Sequence, residues 1–225
     1  MTDHLLDSVL LDVDGTLIDS SYFHALAWRR AFAQHELAIP MWRLHRAIGM
    51  GGDRLVAAVA GDQVEARLGD ALRDGWQREY DKLLPEVSAF DGAGALLTEL
   101  RERGWRVGLA TSGKPDHTRA AIELLGGQEQ VDGWTSADDA EDSKPAPDIL
   151  RAALDEIGGQ AAVCVGDSTY DIEAAAALGW QCIGIRTGGF GAAELQEAGA
   201  IQVFEDVAEL LENLDGTRLA QPDQQ

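Results

Sequence analysis

"LLDVDGTLIDS", Leu10 to Ser20, carries an apolar run that ends in two aspartates separated by one residue. In a strand, residues two apart point to the same side, so Asp12 and Asp14 would crowd two negative charges together unless the backbone turns or a cation intervenes. Three more short runs, Val107 to Ala110, Ala161 to Val165 and Cys182 to Ile185, share with Val9 to Leu11 the absence of polar alternation. Such runs read as strands buried on both faces. Helical patterns lie between them in "AGALLTELRERG", "PDILRAALDEIGG" and "DIEAAAALGW", each closing near a glycine as helix C-termini do. Strand and helix alternate, which predicts an α/β fold built on a doubly wound parallel sheet.

One region breaks the rhythm. From about Ser20 to Pro85 the chain offers only helical patterns, including "SSYFHALAWRRAFAQHE" and "DQVEARLGDALRDGWQREYDKLL". An all-helical insertion over 19–87 is therefore expected, set into a sheet domain made of 1–18 and 88–215. The two chain crossings between them suit hinge closure. Residues 216–225, with "TRLAQPDQQ", read as a disordered tail.

The 225 residues suffice for a core domain with a smaller insertion, and 45% hydrophobic content excludes wholesale disorder. No apolar run approaches the roughly 20 residues that span a bilayer. The start, "MTDHLLDSVLL", lacks a signal peptide's positive region and cleavage site, so a cytoplasmic protein is expected, with no membrane partner. Cys164 and Cys182 sit inside apolar runs without metal or redox spacing and read as small buried hydrophobes. A formal net charge of -21 argues against nucleic acid as a partner. A chain this acidic that handles an anion needs local positive potential from a metal, a few Lys or Arg, and helix N-termini.

Each buried run ends in a polar residue: Asp12, Thr111, the Gly166–Asp167 pair and Arg186. In open α/β sheets that edge is where ligands bind. Gly15 permits a tight turn after Asp14, and Thr16 offers a hydroxyl and a backbone N–H to an anion. Taken alone, the two aspartates fit a turn or helix cap equally well. In "GLATSGKP", Thr111 or Ser112 ends a strand just before a helix, an arrangement that serves as a phosphate site or as an ordinary N-cap. In "EDSKPAPDIL", Lys144 precedes two prolines that stiffen its loop; a loop lysine is usually solvated, but this chain has few cations. In "VCVGDSTYDIEAA", a capped helix explains Asp171 better than it explains Asp167. Asp12, the Asp14 backbone carbonyl and Asp167 form an oxygen donor set suited to octahedral Mg²⁺, with waters and a substrate phosphate completing the shell.

In this order the four elements resemble the haloacid dehalogenase-like hydrolase superfamily, whose motifs match "DVDGT", Thr111, Lys144 and "GDSTYD". The match runs from Leu10 to about Leu214. The place of the insertion resembles the small helical cap of the phosphoglycolate phosphatase and β-phosphoglucomutase branch, over a Rossmann-like core. The resemblance implies that Asp12 is a nucleophile forming an aspartyl-phosphate, which water then hydrolyses. It implies that Asp14 is the general acid and base, which asks for a pKa nearer neutrality than a free carboxyl has. Thr111 and Lys144, with Ser112 and Thr16, would hold phosphoryl oxygens. Mg²⁺ would neutralise charge in the transfer, ligated by Asp12, the Asp14 carbonyl and Asp167, and by Asp171 directly or through water. Dehalogenases of the family carry an aromatic residue where this chain has Asp14, and its phosphonate-cleaving branch a non-acidic one, so Asp14 implies phosphate esters. The implied partner is a small phosphorylated metabolite, and the implied state a monomer or weak homodimer.

Phosphomutase is the competing reading, because "YFHALAW" puts His24 where the mutase branch carries a histidine able to steady Asp14 or a sugar hydroxyl. The mutase's cap arginine is replaced in "IGMGGDRL", which favours phosphatase. A decayed binding or regulatory module is a further alternative, opposed by four intact motifs. The candidate specificity loop is "RAIGMGGDRL": Gly51 and Gly52 let backbone N–H groups approach a ligand, and Arg46 or Arg54 is available for an acidic group. A Gly-rich connector explains the same stretch. Arg186 is read as lining the rim or as salt-bridged. Trp28, Trp42 and Trp76 read as packing residues. "SADDAEDS", Ser136 to Ser143, reads as a solvated loop, and His35 and His45 lack metal spacing.

Overall fold

The computed structural model describes residues 5–139 and 142–223. In chain order the main elements are β1 (Leu6–Leu11), α1 (Ser21–Ala33), α2 (Met41–His45), α3 (Gly52–Ala60), α4 (Asp62–Leu83), α5 (Ala93–Glu102), β2 (Arg106–Ala110), α6 (Pro115–Leu124), β3 (Gly133–Thr135), α7 (Asp148–Glu156), β4 (Ala161–Gly166), α8 (Thr169–Ala177), β5 (Gln181–Ile185), α9 (Ala192–Ala198), β6 (Gln202–Phe204) and α10 (Val207–Glu212). The six strands among the described residues are all parallel, in the order β3-β2-β1-β4-β5-β6. The order reverses at β1, where β2 and β4 flank it, and the crevice at such a switch point is the ligand site of a doubly wound sheet.

Strand periodicity divides the core. Val9 and Leu11 of β1, Val107 and Leu109 of β2, and Val163 and Val165 of β4 face one layer, built with Leu96, Leu97 and Leu100 of α5. Leu10, Ala110 and Cys164 face the other, against Ile149 and Ala153 of α7 and Ala174 and Ala175 of α8. Because alternate residues go to opposite layers and both layers are covered, the strands read as unbroken apolar runs. Cys164 and Cys182 lie opposite each other across β4 and β5, both buried, and burial pushes both thiols up.

Helices α1 to α4 form the insert and carry a core of their own, with Trp28, Phe32, Leu44, Leu55, Val56 and Leu72 buried together. Gly75 of α4 lets α1 approach closely, since a Cβ there would lie 3.2 Å from the Ala31 Cβ. No helix among the described residues is long and apolar enough to cross a membrane.

Two expectations are corrected here. The stretch 217–223 is packed rather than disordered: Leu219 is buried, its carbonyl accepts from Trp105 Nε1 at 3.0 Å, and Leu6 N donates to Asp223 Oδ2 at 3.0 Å. It covers the start of β1 and the Trp105 indole, whose N–H needs a partner when buried. Residues 224–225 lie outside the described residues. Trp42 is not a packing residue; it is 69% exposed on the short α2. Within the acidic run Ser136 to Ser143, Ser136 N and Oγ donate to Asp139 Oδ2, both at 2.9 Å, while 140–141 lie outside the described residues.

Candidate active site

Asp12 sits one residue beyond β1, and its N–H still donates to Val165 O at 2.9 Å, so the sheet fixes its backbone. The chain then turns sharply, with Leu17 N and Ile18 N both donating to Val13 O at 3.0 Å. Gly15 has φ +86, and a Cβ there would lie 2.2 Å from Ser21 Oγ and 2.7 Å from Asp167 Oδ2. Only glycine fits this turn. The turn separates the two carboxylates that strand geometry would have crowded. Asp12 faces Lys144 and Asp167, while Asp14 faces the insert, where its Oδ1 accepts from Ser20 Oγ at 2.7 Å and pairs with His24 Nε2 at 2.9 Å.

Lys144 is buried, not solvated. Its ammonium donates to Asp12 Oδ1 and, at 2.8 Å, to Ala110 O, and pairs with Asp171 Oδ1 at 2.7 Å. Burial alone would lower its pKa, but the Asp12 and Asp171 carboxylates outweigh it and hold the amine above its usual range. Asp171 closes a capping box at the start of α8, its Oδ2 accepting from Ser168 N at 3.1 Å and Ser168 Oγ at 2.6 Å. It can reach a cation only by sharing an engaged oxygen or through water.

Asp12, Asp167 and Asp171 each present an oxygen, and those atoms all lie within 4.8 Å of one another. Asp167 fits a slot with no room for a side chain opposite, since a Cβ on Gly188 would fall 1.6 Å from its Oδ2. Burial pushes the Asp12 carboxyl up to about 7 against the pull of Lys144. Burial, then Asp171 and Asp12, push Asp167 well above its ordinary value. Buried hard-oxygen donors this close suit a small divalent cation. The Thr16 hydroxyl and N–H are engaged within the protein. The residue is fully buried, with its hydroxyl on Asp167 Oδ1 at 3.0 Å and Asp12 Oδ2 at 3.4 Å and its N–H on Val13 O at 3.3 Å. Its observed work is to hold the carboxylates in place.

Asp12, Asp14, His24, Thr111 and Ser112 line a chamber of about 60 Å³. The Thr111 hydroxyl contacts Asp14 Oδ2 at 3.3 Å and accepts from Gly113 N at 2.9 Å, whereas Ser112 Oγ is buried without a partner among the described residues. Asp14 departs from expectation. Burial pushes its carboxyl up, but the His24 ring, with Ser20, outweighs this and holds it below the usual carboxylate range. Past Gly51, Gly52, Trp76 and Ser112 the chamber continues into a second of about 260 Å³.

Residues 6–179 match the family described as haloacid dehalogenase-like hydrolase. The chain belongs to that family. A phosphoglycolate phosphatase of Rhodospirillum rubrum is 31% identical over 214 residues, 90% of this chain and 88% of the relative. A validoxylamine A 7'-phosphate phosphatase of Streptomyces hygroscopicus subsp. limoneus is 28% identical, over 79% of this chain and 84% of that one. The crystal structure of a hydrolase from Pseudomonas syringae aligns with TM-score 0.88 at 31% identity, covering 93% of this chain and 98% of that one.

In this haloacid dehalogenase-like hydrolase, the insert closes over the sheet edge and not every expected cap residue reaches the chamber. Gly51 and Gly52 line it; Arg46 and Arg54 do not. Arg46 pairs with Glu194 at 2.8 Å and lies 4.0 Å over the Phe190 ring, and Arg54 pairs with Asp142 at 3.0 Å. Both find acidic partners on the core surface, which this acidic chain supplies in plenty. Arg186 likewise pairs with Glu205. His45 Nε2–H donates to Gly188 O at 2.9 Å. Two residues were missed from sequence. Ser20 occupies the N-cap position of α1 without capping it, its hydroxyl donating to Asp14 instead. Trp76 lines both chambers, which amphipathic spacing along α4 does not reveal.

Proposed function

We propose that this hydrolase is a Mg²⁺-dependent phosphatase that transfers the phosphoryl group of a small phosphate monoester to Asp12 and then to water. The observation that carries the reading is the division of the two carboxylates across one turn: Asp12 against Lys144 and two further carboxylates, Asp14 against His24, both on one small chamber. An Asp12 oxygen attacks phosphorus, forming the aspartyl-phosphate P–O bond as the ester P–O bond breaks. The leaving oxygen takes a proton from the Asp14–His24 pair. Water then attacks the same phosphorus, its proton returns to Asp14, the bond to Asp12 breaks and inorganic phosphate leaves.

Lys144 offsets charge on Asp12 throughout, and Thr111 and Ser112, which line the same chamber, would offer hydroxyls to the phosphoryl oxygens. Asp12 and Asp167, with Asp171 in support, would hold Mg²⁺, which when bound supplies charge neutralisation for the transferred group. The two named relatives support a phosphatase while their names carry different esters, so relatedness leaves the leaving group open. The mutase reading has less support, because the mutase's cap arginine is replaced in this chain and Arg46 and Arg54, read as available for an acidic group, pair with Glu194 and Asp142.

The test is turnover of p-nitrophenyl phosphate with and without Mg²⁺. Asp12→Asn should lower kcat on the order of a thousandfold or more. Surviving activity would defeat the nucleophile assignment. Bisphosphate-dependent isomerisation of a hexose phosphate, without phosphate release, would establish the mutase instead.

A further inference from the structure

Asp167 Oδ1 accepts from the Thr16 hydroxyl at 3.0 Å, while its Oδ2 faces backbone. A Cβ on Gly188 would fall 1.6 Å from that Oδ2 and one on Gly15 2.7 Å from it, so the carboxylate is seated between glycines of two separate segments. Those segments are tied to each other, the Thr187 hydroxyl donating to Gly15 O at 2.5 Å. The position of the turn after β5, residues 186–190, therefore sets the position of one candidate metal ligand, and such supporting contacts tune metal affinity.

The insert grips that turn. His45, at the end of α2, donates through Nε2 to Gly188 O at 2.9 Å. Gly188 is buried, so its carbonyl needs a partner, and His45 supplies one. The imidazole stacks on Tyr22 in the first turn of α1, with centroids 4.6 Å apart and planes 12° apart. Gly189 passes against the pair: its φ is +85, and a Cβ there would lie 2.8 Å from both His45 Nε2 and the Tyr22 hydroxyl. Neither His45 nor Tyr22 lines either chamber, so neither is placed for the substrate. Two helices of the insert thus converge on the turn of the core that backs a carboxylate of the cation cluster.

We infer that His45 is a positioning residue for the metal site: by holding Gly188 O from the seated insert, it keeps the 186–190 turn against Asp167 and tightens Mg²⁺ binding. The seated insert and a cation on Asp167 then stabilise each other, since such coupling is reciprocal. The inference rests on the cation-cluster reading of Asp12, Asp167 and Asp171 above. It goes further in giving the insert a part in holding the metal, through a side chain that touches neither metal nor substrate.

The experiment is calorimetric titration of the full, substrate-free chain with Mg²⁺, with amide hydrogen exchange over residues 186–190 as a second readout. His45→Phe keeps a ring for Tyr22 to stack on and removes the donor. It should weaken Mg²⁺ binding about fivefold, the size of one hydrogen bond, and speed exchange across the turn. His45→Gln keeps an N–H for Gly188 O and should restore the affinity to within about twofold. Asp81→Ala removes the 2.8 Å contact with His117 on the opposite flank of the insert and should leave Mg²⁺ affinity within about twofold. Unchanged affinity in His45→Phe overturns the inference, as does an equal loss in His45→Phe and Asp81→Ala, which would assign the effect to insert seating at large. If Mg²⁺ does not bind, or binds Asp167→Asn equally well, the cation-cluster reading fails and exchange decides. Faster exchange of the 186–190 amides in His45→Phe than in His45→Gln sustains His45 as the residue that positions the turn against Asp167, and equal exchange overturns it.

Discussion

Asp171 shows how much one carboxylate can hold. One oxygen caps α8 through Ser168, and the other faces the buried ammonium of Lys144, which in turn reaches Asp12. Removing it leaves Lys144 with a single carboxylate partner inside the protein. Breaking a buried pair costs roughly 3–5 kcal/mol and losing a cap about 1 kcal/mol, and the two overlap because one side chain supplies both. Asp171→Ala should therefore lower the unfolding free energy by about 3 kcal/mol in urea titration. Asp171→Asn retains an oxygen for Ser168 and should cost clearly less. A loss under about 1 kcal/mol for the alanine variant would mean that Asp12 and Ala110 suffice to hold Lys144.

At the scale of elements, the insert is tied to the core on two flanks. On one, His117 of α6 donates through Nε2 to Asp81 Oδ1 of α4 at 2.8 Å, beside the Lys114–Gln77 contact. On the other, Tyr170 OH donates to Arg46 O at 2.8 Å and Arg46 pairs with Glu194. Asp81→Ala leaves the buried His117 unpartnered and loosens the α4 flank, so KM and kcat should worsen together, by about threefold each, for every ester. That pattern differs from a leaving-group contact, which moves KM for one class, and steady-state kinetics on two unlike esters separates them. These ties also mark where sequence reading ends. The four central strands were legible because burial on both faces makes them unbroken apolar runs. The edge strands β3 and β6 were not, being three residues each and carrying polar residues. Asp12 and Asp167 stood out in the sequence because carboxylates directly after apolar runs lack a packing explanation, and Lys144 because its proline-stiffened loop lies in a chain with few cations; the structure brings Lys144 onto Asp12 and Asp12 beside Asp167. The fates of Arg46 and Arg54 were not, since which acid captures a surface arginine depends on how insert and core meet. The carboxylate partners of Thr16 were not legible either, because a hydroxyl beside two aspartates suits a carboxylate as well as a phosphate.

Across the whole molecule, a net charge of -21 frames the cluster of Asp12, Asp167 and Asp171 around one buried lysine. With no cation bound, burial pushes Asp12 up to about 7 and Asp167 well above its ordinary value. For an acid raised on folding, the native state binds the proton more tightly than the unfolded chain. Its stabilising effect is complete below the unfolded carboxyl pKa and is lost as pH rises through the folded value. Metal-free protein should thus lose stability from mildly acidic pH through neutrality. Mg²⁺ binds the ionised carboxylates and favours the native state by mass action, so it should offset that loss. The rise in Tm on adding Mg²⁺ should accordingly be larger near about pH 8 than near about pH 5, read by calorimetry in EDTA and in excess Mg²⁺. Asp167→Asn removes one ionising ligand. It should shrink both the alkaline loss of stability in EDTA and the Mg²⁺ gain. A Tm gain of equal size at both pH values, or one unchanged by Asp167→Asn, would place the bound cation away from this cluster.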